Sequence, residues 1–232
     1  MKNYQAVFLD RDETLSRISP AKVEQLSRLV GQMVGRPDLQ LSWSDHMERF
    51  ERVFDLPRFS RVNTVELEHE FWRRLYATVL QDLGVEEEAG RLADELYEAC
   101  PFYRMMEPFP ETVGVLEALR SGGYRLGVIS DTFPSLRLAL EAMGIAAYFE
   151  SFTASAVVGA GKPDPRIFRA ATDSLGVRPE ESVFVDDTEG EVEGARELGF
   201  TAFHLDRTRT EPDFSRWKLG NLRHLIEYLE LG

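Results

Sequence analysis

Apolar residues follow two rhythms along this chain. From about Pro20 to Cys100 they recur at helical spacing: Val23, Leu26, Leu29/Val30 and Met33/Val34 share one face, and Met47, Phe50 and Val53/Phe54 another. Leu67, Phe71, Leu75 and Val79 continue the pattern, followed by Leu92, Leu96 and Cys100. Four helices are predicted, separated at "GRPD", "DLPRFSR" and "DLGVEEE", where glycine, proline and charge interrupt the apolar rows. Such faces suit packing as a bundle.

From about Glu111 the rhythm shortens. The runs "YRLGVIS" (124–130), "FTASAVV" (152–158), "SVFVD" (182–186) and "TAFHL" (201–205) alternate with helical stretches through "PSLRLALEAMG", after "KPDPRIF" and across "EGEVEGARELG". Strands buried on both faces and separated by helices predict a parallel sheet with right-handed crossovers. The first run, "AVFL" before Asp10, belongs with this second regime. The expected fold is therefore α/β, a doubly wound, mostly parallel sheet, interrupted after its first strand by an all-helical insert. Residues 1–16 and 105–232 are assigned to the sheet domain and 17–104 to the insert, with "SRISP" and "CPFYRMMEPFP" as connectors. An insert is tolerated where the chain leaves and re-enters a surface loop at neighbouring points. It is expected to sit over the end of the sheet from which it emerges, as a lid.

Composition narrows the classes. A chain of 232 residues with 43% hydrophobic and 29% charged residues is long enough for one substantial domain, or a core domain carrying a smaller one. A formal charge of −13 argues against nucleic acid or an anionic membrane as partner, because both need a basic patch. No apolar stretch approaches the roughly 20 residues of a membrane span, and "MKNYQAVFLD" reaches an aspartate too early for a signal peptide. The default expectation is cytoplasmic. The single cysteine, Cys100, excludes an internal disulfide and a cysteine-based zinc cluster, and is read as a packing residue.

The candidate chemistry lies where the apolar runs stop, since ligands of open α/β sheets bind at the carboxyl ends of the strands. "AVFL" is followed by Asp10 and Asp12, "LGVI" by Ser130 and Asp131, "SAVVGAG" by Lys162, and "SVFV" by Asp186 and Asp187. Singly, each is an ordinary local feature: a solvated turn, a helix N-cap, a turn with a surface lysine, an acidic helix start. Their order and common position at successive strand ends is not what four independent turns produce. Several carboxylates gathered this closely raise one another's pKa unless a cation neutralises them. Oxygen ligands without histidine or cysteine suit Mg²⁺, and Lys162 with Ser130 adds a positive charge and a hydroxyl donor for a phosphoryl group. Asp10 is placed to attack phosphorus, and Asp12 to protonate the leaving alcohol and then deprotonate water.

These motifs together resemble the haloacid dehalogenase-like hydrolase superfamily, in its phosphatase branch with a helical cap inserted after the first strand. The resemblance rests on "DRDET" (Asp10, Asp12, Thr14), "ISD" (Ser130), "GKPDP" (Lys162) and "FVDDTEGEVEGA" (Asp186, Asp187, Glu191), and it covers essentially the whole chain. It implies a phosphatase acting on a small phosphate monoester, with Asp10 as nucleophile and Asp12 as acid/base. It also implies Mg²⁺ held by Asp10, the Asp12 carbonyl and Asp187, supported by Asp186 or Glu191. Ser130 and Lys162 would hold phosphate, Thr14 would position the loop, and Asp131 would act chiefly through its backbone. Family dehalogenases lack the second aspartate, so Asp12 favours phosphate chemistry. A sugar-phosphate mutase shares these residues, and a non-catalytic binding protein of the same fold is a further alternative.

Two departures stand out. Glu13 occupies a position where the family usually has glycine, and Glu191 replaces a more usual aspartate. In the insert, His46, Arg49, Arg52, Arg58 and Arg61 could meet an anionic substrate group, but arginines on helices are usually solvated. "GAGKP" imitates the end of a P-loop, with Ala156 and Pro163 breaking it, and "HEFWR" lacks the second histidine of a zinc-protease helix. His204 and His224 are read as structural.

Overall fold

The structure is a computed structural model that describes residues 4–56 and 61–231, without the side chains of 43–47 and 231. His46 and Arg58 thus fall outside the described side chains. The chain divides into two compact units. One runs to Arg17, resumes over Pro108–Thr132, and continues from Leu136 onward; the other comprises Ile18–Glu107 with Phe133–Ser135.

The first unit is built on β1 (Ala6–Leu9), and its four residues are wholly buried, as two-sided coverage requires. The short β2 (Ser16–Ile18) and β3 (Met106–Pro108), each divided between the two units, pair with each other, and the first unit resumes with α5 (Thr112–Ser121) and β4 (Arg125–Ser130). Next come α6 (Leu136–Ala142), β5 (Ser151–Ala154), α7 (Ser155–Val158), α8 (Pro165–Leu175), β6 (Ser182–Asp186), α9 (Glu189–Glu197), β7 (Thr201–Leu205), β8 (Lys218–Leu219) and α10 (Arg223–Leu231). The main sheet has the order β5-β4-β1-β6-β7-β8, and its strand pairs are parallel. Period-two alternation sorts β1 between two cores: Val7 and Leu9 join residues of α5, α6 and α10, whereas Ala6 and Phe8 join residues of α8 and α9. The sheet is thus covered on both faces, which is why its strands read as continuous apolar runs.

A strand does lie near "FTASAVV", but it is short: β5 ends at Ala154 and the chain turns into the single-turn α7 at Ser155. Ser155 Oγ accepts from the Thr132 amide at 3.0 Å, a local side-chain bond that competes with continuing the ladder. Lys162 therefore follows a helix and a loop rather than a strand end.

The second unit consists of α1 (Pro20–Met33), α2 (Trp43–Phe54), α3 (Val65–Asp82) and α4 (Ala89–Ala99), four helices where the periodicity placed them. Gly35 and Gly84 take positive φ at two of the predicted breaks. Helix α3 packs on α2 and α4, and α1 packs on α4. Phe71, Trp72, Leu75, Leu80 and Leu96 lie at the centre of this core. Cys100 is buried in it, consistent with packing. A carboxylate is buried there too: Glu68 accepts from the Ser135 amide at 2.8 Å, Ser135 Oγ at 2.6 Å and Trp72 Nε1 at 3.2 Å. Among the described residues no helix is long and apolar enough to cross a membrane.

Candidate active site

The site begins with where β1 stops. Its neighbours are β4 and β6, with Leu9 in register with Val128 and Val185, so the chain emerges between the two central strands. The Asp10 amide still donates to the Val185 carbonyl at 2.9 Å, which fixes its backbone one residue past the strand. The carboxyl ends of β4 and β6 bring Ser130, Asp131, Asp186 and Asp187 alongside. A cleft of about 210 Å³ is lined by Asp10, Asp12, Ser130, Asp131, Lys162, Asp186, Asp187 and Glu191, the expected catalytic, phosphate and metal residues other than Thr14, together with Thr188.

Lys162 organises this cleft. Its side chain is 2% exposed, and Nζ donates to Asp10 Oδ1 at 2.8 Å and Asp186 Oδ2 at 2.5 Å while lying 2.7 Å from Glu191 Oε2. Three restraints hold it there. The Lys162 amide donates to the Asp131 carboxylate at 3.0 and 3.1 Å, so Asp131 acts through its side chain as well as its backbone. Asp186 Oδ1 accepts the Thr188 amide at 2.8 Å, tying the start of α9 to β6. Helix α9 also lies against the lysine loop: a Cβ at Gly194 would come within 2.4 Å of Pro163 Cβ, so only glycine allows the approach that brings Glu191 to Lys162.

The charge balance is unequal. Six carboxylates line the cleft with one ammonium. Burial is the largest influence on Asp10 and pushes its carboxyl well up, with Asp186 and Asp12 adding to the push and Lys162 opposing it. Burial likewise raises Asp131, Asp187 and Glu191, the last to about 7. Burial alone would lower Lys162, but Asp10, Asp186 and Glu191 outweigh it and hold the ammonium charged well above its ordinary range. Surplus buried negative charge is a site that favours a further cation.

Mg²⁺ is the cation that the sequence motifs imply, and the donors fit it. They are all hard oxygens, and Mg²⁺ typically takes one or two carboxylates plus waters and substrate phosphate rather than a full protein cage. Among the described residues no three acidic, histidine or cysteine side chains converge as such a cage. Asp186 and Glu191 are engaged by Lys162, which leaves Asp10 Oδ2 and Asp187 as the side-chain oxygens for a metal.

Two hydroxyls complete the set. Ser130 Oγ and Thr14 Oγ1 are buried without a hydrogen-bond partner. Buried polar atoms are rarely left so unless a ligand or water supplies the missing partner.

Asp12 lies two residues beyond Asp10, and its carboxylate is held bidentately by Arg11, Nε to Oδ1 at 2.9 Å and Nη2 to Oδ2 at 2.6 Å. Arg11 is a residue that sequence reasoning passed over although it stands between the two aspartates. The next residue, Glu13, has φ of 52°, in the left-handed region that costs a non-glycine residue about 1–2 kcal/mol. Its charge is near enough to contribute to the upward push on Asp187. His204, expected to be structural, places Nε2 3.0 Å from the Asp187 carbonyl, behind the cleft. His224 accepts from the Gly220 amide at 3.0 Å, away from these residues.

The sequence profile of the haloacid dehalogenase-like hydrolases matches residues 4–199. A phosphoserine phosphatase of Thermus thermophilus is 35% identical over 165 residues, an alignment covering 67% of this chain and 64% of that enzyme. Among solved structures, a haloacid dehalogenase-like (HAD) phosphatase from Thermococcus onnurineus is 26% identical with a TM-score of 0.62, covering 97% of each chain. A 2-haloacid dehalogenase from Pseudomonas syringae is 28% identical with a TM-score of 0.69, covering 98% of each. With most of its length matched by the profile and the sheet order built around Asp10, the chain belongs to the haloacid dehalogenase-like hydrolase family.

Proposed function

We propose that this protein is a Mg²⁺-dependent phosphatase that hydrolyses a small phosphate monoester through an aspartyl-phosphate at Asp10. The observation that carries the reading is the combination at the end of β1: a buried carboxylate bonded to Lys162 Nζ at 2.8 Å, in one cleft with the buried unpartnered hydroxyl of Ser130. A buried carboxylate that can act as nucleophile and a free hydroxyl that can meet a phosphoryl oxygen support the reading.

In the first half-reaction Asp10 forms a bond to phosphorus as the P–O bond to the leaving alcohol breaks. Asp12, turned away from its bidentate pair with Arg11 and carrying a proton, gives that proton to the alcohol oxygen. In the second, Asp12 takes a proton from water as the water attacks phosphorus and frees Asp10. Ser130 donates to a phosphoryl oxygen, where a pre-placed donor contributes most to catalysis, and Lys162 supplies positive charge beside it. Bound Mg²⁺, held by Asp10 and Asp187, would supply charge neutralisation on the phosphoryl oxygens. A dehalogenase releases halide, which needs no proton, so Asp12 would have no task in that reaction.

The curated relatives include enzymes named for phosphoserine, glyceraldehyde 3-phosphate and phosphoglycolate. The substrate proposed here is of that class, a small phosphorylated metabolite. The helical unit is the region proposed to select among such esters.

The test is phosphate release from these three esters and 4-nitrophenyl phosphate, with and without EDTA. Wild-type turnover that EDTA stops and Asp10→Asn reduces by about 10⁴-fold or more supports the reading. Undiminished turnover by Asp10→Asn would overturn it.

A further inference from the structure

Glu13 and Trp217 are the non-glycine residues at positive φ among those described, and Glu13 directly follows the proposed acid/base. A glycine reaches this conformation without steric cost, whereas glutamate has to be held in it. The holding contacts come from a residue 194 positions away. Arg207 Nε donates to the Glu13 carbonyl at 2.7 Å and Nη2 to the Thr14 carbonyl at 2.6 Å. The guanidinium is itself fixed, with Nη1 on Glu111 at 2.7 Å and its carbon 3.4 Å from the centre of the Phe109 ring. Its side chain is 22% exposed, so these charge-assisted bonds are partly screened from water.

The remainder of the loop closes on itself. The Arg11 carbonyl accepts the Leu15 and Ser16 amides, each at 2.9 Å, and the Leu15 carbonyl accepts Thr112 Oγ1 at 2.8 Å. Glu13 and Thr14 form the part of this turn whose carbonyls are met from β7's following loop. Resting on the phosphatase reading, we propose that Arg207 is a positioning residue: it clamps the Glu13–Thr14 peptides in the left-handed turn that glycine would adopt unaided, and thereby sets Asp12 for proton transfer to the leaving group. Asp10 is fixed separately by β1 and Lys162, so loosening the clamp impairs proton donation more than attack on phosphorus.

This separation gives a signature that a generally destabilising change lacks. 4-Nitrophenolate leaves without help from an acid, whereas an alkoxide needs the proton. The experiment compares wild type, Arg207→Gln, Glu13→Gly and the double variant on 4-nitrophenyl phosphate and on whichever alkyl ester wild type turns over. Arg207→Gln is expected to lose at least tenfold in kcat on the alkyl ester and under about threefold in the single-turnover release of 4-nitrophenolate with enzyme in excess, a step that precedes the water attack assisted by Asp12. Adding Glu13→Gly is expected to restore most of the alkyl activity. Equal losses in alkyl turnover and in single-turnover aryl release, or no rescue, would overturn the proposal. If Arg207→Gln does not fold, Arg207→Lys, which cannot bridge both carbonyls, replaces it in the same cycle.

Thermal melting of the four proteins gives a readout independent of activity. The Tm loss on removing Arg207 is expected to shrink in the Glu13→Gly background; additive losses would overturn the clamp. Should wild type hydrolyse no phosphate ester, the phosphatase reading fails, and this melting cycle still decides whether Arg207 holds Glu13.

Discussion

Each of the two units buries charge, and they do it in opposite ways. In the helical unit Glu68 is 1% exposed and is met by three neutral donors, the Ser135 amide, Ser135 Oγ and Trp72 Nε1. In the α/β unit Lys162 is met by three carboxylates within a cleft that has more acids than it can neutralise. Neutral donors satisfy the Glu68 oxygens and leave little capacity for a ligand. Unbalanced charge beside an unpartnered hydroxyl leaves capacity to act on a ligand. The difference separates a carboxylate that fixes packing from carboxylates gathered for chemistry.

The largest expected effect comes from removing the ammonium. Lys162→Met leaves Asp10, Asp186 and Glu191 repelling one another in a buried space, a loss of about 3–5 kcal/mol at neutral pH by analogy with broken buried ion pairs. The folded-state pKa of Lys162 is raised, so its stabilisation is fully present below the ordinary lysine value and disappears as pH rises through the raised one. The deficit of the variant is expected to shrink as pH falls from about 7, because burial already raises Asp10 and holds Glu191 at about 7 against the opposing pull of the lysine, so both take up protons in that range once it is gone. Denaturant melts from pH 4 to 8 measure this; a deficit independent of pH would show that the lysine serves only packing. Phosphatase turnover is expected to fall by about 10³-fold.

Asp12 tests the same cleft at its edge. Asp12→Asn is expected to lose about 10²–10⁴-fold in turnover, with the loss greatest for esters with poor leaving groups. Loss confined to KM would remove Asp12 from the proton-transfer role.

How far these contrasts could be read from the sequence depends on how local their causes are. β1 and β6 were legible because "AVFL" and "SVFVD" are apolar throughout and end on aspartate, so the strand and its terminal acid are encoded together. The four helices were legible from spacing alone. The end of β5 was not, since "SAVV" has the composition of a strand, and the Ser155 hydroxyl that accepts the Thr132 amide where α7 begins joins positions 23 residues apart. The edge strand β8 has two residues, too few for any periodicity. The partnerships were least legible: Glu68 with Ser135 and Arg207 with Glu13 join positions 67 and 194 residues apart. Glu68 even sits in an acidic first turn of α3, where a solvated carboxylate is the ordinary expectation.

Glu68 gives the next prediction. Glu68→Ala strands the Ser135 and Trp72 donors and is expected to cost about 1–3 kcal/mol. Glu68→Gln is informative through its pH dependence. Burial is the main influence on Glu68 and raises its pKa, with the Ser135 bonds opposing. The folded protein therefore holds this proton more tightly than the unfolded chain, and the associated stability, full below the ordinary glutamate value, is lost as pH rises through the raised one. The stability of Glu68→Gln relative to wild type should consequently improve from pH 4 to 7, the reverse of a lost salt bridge. A gap that widens against the variant over that range would show the ionised carboxylate to be the favoured form.

The smallest effect belongs to Thr64, the N-cap of α3, whose side chain accepts the Leu67 amide at 3.3 Å. Thr64→Ala is expected to cost about 0.5–1 kcal/mol, the lower part of the usual range for a lost cap, because the bond is long and exposed. The loss should vary only slightly with pH: the Leu67 amide does not titrate, and the exposed Glu66 carboxylate, lowered by its own backbone bond and then by the Thr64 hydroxyl, eases the deficit only as pH falls through that lowered value. That shallow profile is the reference for both buried-charge profiles. A Thr64→Ala deficit that varied with pH as strongly as that of Lys162→Met would mean that unfolding of the whole chain, rather than the local charge environment, sets the pH response.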